Sequence, residues 1–333
     1  FNPFGTNLIL GLSAGITSAV QGNEAGKLKR GEIEGVSLSK SVFVSLAFSN
    51  RDPSGKRKLR ERFVEAAEFI RAHRQWEVDV KTNKELKEPK APKDIGPTDV
   101  LLGKKFGKFT AEDAADLLGI ARFAQEFGFR PVIERCTEGW TVADELGRAG
   151  AFAIVTPRIR RTKSETLVRA GGSSIENAAI LHKAGVQVAI VPGSRGIDLG
   201  GQVGRDLLHL TMEAGFAIRG GLPEQAALEG LTIVPARLLG MSHRLGTLEV
   251  GKDCDVIITD GDVLHYQTFV QWAIVDGKIA YDKQDELFFA HIRPRPESAL
   301  APEEKLDPGE EAPPEDEEGE EAATGPPEDE DED

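Results

Sequence analysis

Short, nearly continuous apolar runs alternate with stretches of helical periodicity along most of this chain. Residues 42–48, 130–134, 152–156 and 186–191 read as strands buried on both faces, and 15–20 as another. Between them, residues 56–74 place Leu59, Phe63, Ala66, Phe69 and Ile70 on one helical face. Residues 111–127, 141–150, 174–184 and 206–218 read as further amphipathic helices, the third closed by Gly185. Lys- and Pro-rich residues 80–99 read as a surface loop. Strands alternating with helices predict parallel βα units, and eight of these close a barrel. The units here fall just short of eight, so the expected fold is α/β, a TIM-type (β/α)8 barrel over residues 1–242 that lacks its first strand.

Past residue 220 the rhythm changes. Pro223 and Pro235 sit where first-turn prolines do, and Gly240 ends the second of two short helices. Residues 247–250, 256–259 and 269–275 then read as short strands, with Asp276-Gly277 as a hairpin turn before 278–281. A small β-sandwich module is therefore expected over 243–290.

Charge adds a third region. The net charge of −14 is concentrated in residues 301–333, which hold 17 acidic residues and one lysine. The rest of the chain is close to neutral, so its overall acidity says nothing about partners. Pro, Gly and acid without aromatics cannot bury enough apolar surface to offset the entropy of ordering, so residues 291–333 are expected to be a disordered acidic tail. No apolar run is long enough to span a membrane. Lys104, Lys105 and Lys108 make a small basic patch without interleaved aromatics, which gives nucleic-acid binding no footing. Two distant cysteines, Cys136 and Cys254, have neither disulfide-framework nor zinc-ligand spacing, and Cys136 reads as a small core residue. The chain opens on Phe1 inside what reads as a structured element, so the native start and any targeting peptide are expected upstream, and the localisation stays open.

Several motifs are more specific. Thr232-Ile233-Val234-Pro235-Ala236-Arg237-Leu238-Leu239-Gly240 resembles the "T-x-N-P-A-x-x-L-G" helix that closes amidohydrolase barrels. Gly246-Thr247-Leu248-Glu249-Val250-Gly251-Lys252-Asp253-Cys254-Asp255-Val256 resembles the "G-S-L-E-x-G-K-D-A-D-L-V" segment that follows it. Val275-Asp276-Gly277-Lys278-Ile279-Ala280-Tyr281 resembles the final "V-x-G-K-x-V-Y" hairpin. Ala14-Gly15-Ile16-Thr17-Ser18 and Thr137-Glu138-Gly139-Trp140 extend the resemblance toward imidazolonepropionase-like members of the amidohydrolase superfamily.

That resemblance implies hydrolysis of non-peptide C–N bonds, amides or cyclic amides, by zinc, iron or manganese held at the strand C-termini. The implied ligands are an H-x-H pair, a bridging carboxylate, two later histidines and an aspartate. Where the family has "H-A-H-x-x-D-D-I-L", this chain has Thr110-Ala111-Glu112-Asp113-Ala114-Ala115-Asp116-Leu117-Leu118, so Thr110 and Glu112 replace histidines. The "E-H-x-T-E" stretch becomes Glu134-Arg135-Cys136-Thr137-Glu138, and "G-T-D-x-P" becomes Val191-Pro192-Gly193-Ser194-Arg195. Arg135 and Gly193 thus stand at ligand positions, and arginine has no lone pair to offer a metal. His73, His182, His209, His243, His265 and His291 show no ligand spacing.

The expectation is therefore an amidohydrolase-family protein with a degenerate metal site and no catalytic residue set. Thr110, Glu112, Arg135, Gly193 and Arg195 would line a binding site at the barrel mouth, taking a small anionic ligand, with no metal or other cofactor. Its partners would be further copies of itself or an amidohydrolase homologue. The alternative is an active metal-dependent hydrolase whose missing ligands come from an upstream segment together with Glu112. Arg135 either clamps an anion with Arg195 or pairs with Glu112 or Glu138. Gly171-Gly172-Ser173-Ser174 is either an anion cradle or a plain helix cap.

Overall fold

A computed structural model describes residues 19–20, 37–39, 41–162, 170–192, 210–265 and 267–285. The two shortest segments are strands β1 (Ala19–Val20) and β2 (Ser37–Ser39), which pair antiparallel. A five-stranded parallel sheet follows, built from β3 (Phe43–Leu46), β4 (Phe106–Thr110), β5 (Pro131–Glu134), β6 (Phe152–Val155) and β7 (Gln187–Ile190). Each strand pairs with its chain neighbour, so strand order follows chain order throughout the sheet.

Helices connect the strands. Helix α1 (Pro53–Asp79) begins at Asp52, whose carboxylate accepts from the Gly55 amide at 2.9 Å, and Pro53 starts its first turn. Helix α2 (Gly96–Leu101) buries Thr98 and Val100, so the loop expected over 80–99 ends earlier than its composition suggested. Helix α3 (Ala114–Phe127) ends on Gly128 at φ +72°, the left-handed conformation that favours glycine. Next come α4 (Ala143–Arg148), α5 (Asn177–Lys183), α6 (Leu210–Arg219), α7 (Glu224–Leu231) and α8 (Ile233–Leu238).

Two apolar layers follow from the strand alternation. Leu46, Phe109, Ile133, Val155 and Ile190 face the helices, where Leu117, Ile120 and Leu181 are wholly buried. Phe63 of α1 sits in an aromatic cluster, 4.9 Å from Phe123 and 5.3 Å from Phe129 between ring centres. The opposite face begins with Phe43, Val132, Phe152, Ile154 and Ala189, covered by Ile233, Val234 and Leu238 of α8 and by Leu245. Phe106 packs against this second layer, 5.4 Å from Phe152. Because Phe106 faces that layer, Lys108 and Thr110 do so too, higher along the same strand.

The C-terminal sheet is antiparallel, with β9 (Val270–Val275) between β8 (Val256–Thr259) and β10 (Lys278–Asp282). Asp276 at φ +50° and Gly277 at φ +72° form the expected hairpin turn, two successive positive φ values as a tight two-residue hairpin requires. Residues 247–250 are not a strand. Leu248 and Val250 lie exposed in a turn where the Lys252 amide donates to the Glu249 carbonyl at 3.3 Å. The acidic tail, most of the 15–20 strand, and the loop with Gly193 and Arg195 fall outside the described residues.

Candidate functional site

The register of β4 against β5 sets Thr110 beside Glu134, and the two loops that leave these strands run side by side. The Ala111 amide donates to the Glu134 carbonyl at 3.1 Å, which extends the ladder past the end of β4. Glu112 and Arg135 are then brought together. Arg135 Nη1 lies 2.8 Å from Glu112 Oε1, with both side chains partly exposed, at 27% and 30%. Arg161, from the loop after β6, reaches the other oxygen of Glu112 at 3.4 Å and Asp113 Oδ1 at 2.5 Å.

Arg135 has φ +64°, a left-handed conformation that glycine, lacking a Cβ, adopts freely and arginine does not favour. Its carbonyl accepts from the Thr137 amide at 2.5 Å and the Thr137 hydroxyl at 2.9 Å, while its amide donates to Ile154 at 3.1 Å. These bonds hold the strained turn that points the chain out of β5.

One layer deeper, Lys108 Nζ lies 3.2 Å from Glu134 Oε2, and the Thr110 hydroxyl donates to the same oxygen at 3.4 Å. By sequence, Lys108 groups with Lys104 and Lys105 in a small basic patch. In the structure its side chain is only 10% exposed and lies over the Phe43 ring at 5.7 Å. The missed signal was alternation, since Phe106, Lys108 and Thr110 share one face of β4.

Glu138 is buried and leaves Arg135 to Glu112. Its carboxylate accepts from the Ala114 amide at 2.9 Å and the Gly172 amide at 2.8 Å, tying the start of α3 to the 170–173 loop. The anion met by the Gly171-Gly172 segment is thus this internal carboxylate. Beside the loop, a shallow cleft with room for little more than a water molecule is lined by Thr137, Thr156, Pro157, Ser173, Ser174 and Asn177. Cys136 is buried as expected, and burial pushes its thiol up to about 12, which keeps it protonated and unreactive.

The donor set suits a divalent metal poorly. At the positions that resemble ligands, Thr110 is engaged by Glu134, Arg135 carries a fixed positive charge, and the Glu112 and Glu134 carboxylates are already paired with arginine and lysine. Among the described residues, no three His, Cys, Asp or Glu side chains cluster as a metal site would require. Gly193 and Arg195 are outside the described residues, so their place beside Arg135 is not part of this geometry.

Residues 142–286 match the model of the amidohydrolase family, beginning just after the Arg135 turn. An amidohydrolase from Thermotoga maritima MSB8 superposes with a TM-score of 0.54 at 22% identity, over 85% of this chain and 76% of that one. Amidohydrolase tasK of Hapsidospora irregularis is 33% identical over 95 residues, which is 28% of this chain and 10% of that protein. N-acetylglucosamine-6-phosphate deacetylase of Danio rerio is 44% identical over 55 residues, 16% of this chain and 14% of that protein. Urease subunit alpha of Yersinia pestis (strain Pestoides F) is 35% identical over 109 residues, 29% of this chain and 18% of that protein. Residues 142–286 thus carry the similarity to the amidohydrolase family, and an amidohydrolase stands among both the curated relatives and the structural neighbours. The matched stretches span between 10% and 18% of these curated relatives' own lengths.

Proposed function

We propose that this amidohydrolase-superfamily chain is a degenerate member that has exchanged the family's metal centre for a charged network, binds a small anionic ligand there, and acts as a binding or partner subunit. The observation that carries the reading is the Arg135–Glu112 pair at 2.8 Å, standing where the resemblance implies metal ligands. A cation at that point would meet the fixed charges of Arg135 and Arg161. An anion would meet two planar guanidiniums suited to carboxylate or phosphate.

In this reading the five parallel strands are part of a TIM-type (β/α)8 barrel over 1–242 that lacks its first strand. The antiparallel strands belong to a β-sandwich module at 243–290, followed by an acidic tail at 291–333. Thr110, Glu112 and Arg135 form the described half of the ligand site, and Gly193 and Arg195 the other half. The chain assembles with copies of itself or with an amidohydrolase homologue, and needs no metal or other cofactor.

Calorimetry with inorganic phosphate and pyruvate tests the ligand role. The proposal expects saturable binding that Arg135→Ala weakens at least about tenfold, the loss of one charge-assisted contact. Equal affinity in the variant would overturn it. Amide hydrolysis that needs added zinc, iron or manganese would favour an active hydrolase instead.

A further inference from the structure

We infer that Lys108 is a carbonyl-reactive amine, and that this face of the parallel sheet forms a reversible imine with a small carbonyl compound bearing an anionic group. The anionic part deepens the ligand role proposed for Arg135; the amine chemistry stands on separate observations.

Lys108 is the third residue of β4, on the face whose lower half is the apolar layer of Phe43, Phe106, Val132 and Phe152. A lysine–glutamate pair sunk beside such a layer is a poor stabiliser, since desolvating two charges offsets most of their attraction. Its presence calls for another role. The Ser45 position, in register with Lys108 on β3, is exposed, and no described residue of another strand pairs with β3 on that side. Lys108, Thr110 and Glu134 lie toward the carboxyl ends of parallel strands, where sheets of this kind gather their ligands.

The chemistry closes with the residues present. Lysine reacts with a carbonyl only as the neutral amine, and Glu134 Oε2, 3.2 Å away, is the base within reach. Glu134 takes one ammonium proton, leaving a lone pair on Nζ. That pair attacks the carbonyl carbon; the C–N bond forms, the C=O π bond breaks, and the oxygen takes the proton back from Glu134. Glu134 next removes a second proton from nitrogen and delivers it to the hydroxyl, which leaves as water while the nitrogen lone pair forms the C=N bond. The ammonium, the carboxylate and the carbonyl compound become an iminium ion, the same carboxylate and one water. No oxidant or reductant is consumed. The Thr110 hydroxyl, donating to the same Glu134 oxygen at 3.4 Å, is a positioning residue for that carboxylate.

Reductive trapping tests this. The full chain is incubated with pyruvate or with acetone, each with borohydride, and tandem mass spectrometry maps the modified lysines. The inference expects a carboxyethyl group on Lys108 ahead of the exposed lysines, absent from Lys108→Arg. Glu134→Gln should slow the labelling about a hundredfold, as loss of a general acid–base group does. Modification confined to exposed lysines, or equal labelling in Glu134→Gln, would overturn it. The two readings separate in the other arms. If pyruvate and acetone label Lys108 equally and Arg135→Ala changes neither, the amine chemistry stands and the anion role of Arg135 falls. Arg135-dependent pyruvate binding without labelling of Lys108 leaves the anion role and overturns the imine.

Discussion

Glu112 holds two arginines at once, Arg135 at 2.8 Å on one oxygen and Arg161 at 3.4 Å on the other. The first comes from the end of β5 and the second from the loop after β6, so one carboxylate ties three consecutive βα connections together. Any anion that binds Arg135 must compete with that carboxylate.

Glu112→Gln should therefore strengthen anion binding. Arg161 keeps Asp113, while Arg135 loses its partner and becomes available. The expected result is about a tenfold gain in affinity for pyruvate or phosphate by calorimetry, the size of one released charge–charge contact in partly exposed surroundings. A weaker complex would show that Glu112 itself contacts the ligand.

The left-handed turn at Arg135 makes a second prediction. Glycine adopts φ +64° freely, whereas a side chain there costs on the order of 1 kcal/mol. The Arg135–Glu112 pair is partly exposed and contributes up to about 1 kcal/mol. Arg135→Gly should unfold within about 1 kcal/mol of the parent, and Arg135→Ala should be about 1 kcal/mol less stable than Arg135→Gly. Both should lose anion binding. Urea titration that ranks alanine above glycine would contradict the strain.

Glu138 stabilises where Arg135 does not. Its buried carboxylate satisfies two backbone donors, at Ala114 and Gly172. Glu138→Ala strands both amides and should cost about 3 kcal/mol or more, the largest loss among these variants. A change under about 1 kcal/mol would mean the two loops hold without it.

Asp255 introduces a pH dependence. Partial burial, with lesser contributions from the neighbouring Asp253 and Asp276 charges, holds its carboxyl above the ordinary value against the opposing Asp276 amide bond. A raised native value means the folded state binds the proton more tightly than the unfolded one. The stability linked to it is therefore complete below the ordinary carboxylate value of 3.8 and is lost as pH rises through the raised one. Asp255→Asn should raise the midpoint of unfolding at pH 7 and make little difference at pH 3. An effect confined to low pH would reverse the assignment.

Much of the scaffold was legible because its signals are local. The stripe of Leu59, Phe63 and Ala66, the glycine after α3 and the Asp276-Gly277 turn each report a conformation fixed within a few residues. Leu248 and Val250 alternate like a strand yet pair with no strand among the described residues, and pairing is a tertiary property. The burial of Lys108 was not legible because a lysine usually faces water, and only the residues across the sheet show otherwise. The pairing of Glu112 with Arg135 could be posed from sequence, since both fall just past neighbouring strand ends. Arg161 could not, because the loop that carries it has no motif and arrives from 49 residues away.

Elemental analysis tests the central claim most directly. The full chain, produced and purified with zinc, iron and manganese supplied, is assayed for bound metal and for amide hydrolysis together. The account predicts well under one metal ion per chain and no hydrolysis that rises with metal content. About one tightly held ion per chain, with hydrolytic activity in proportion, would contradict it.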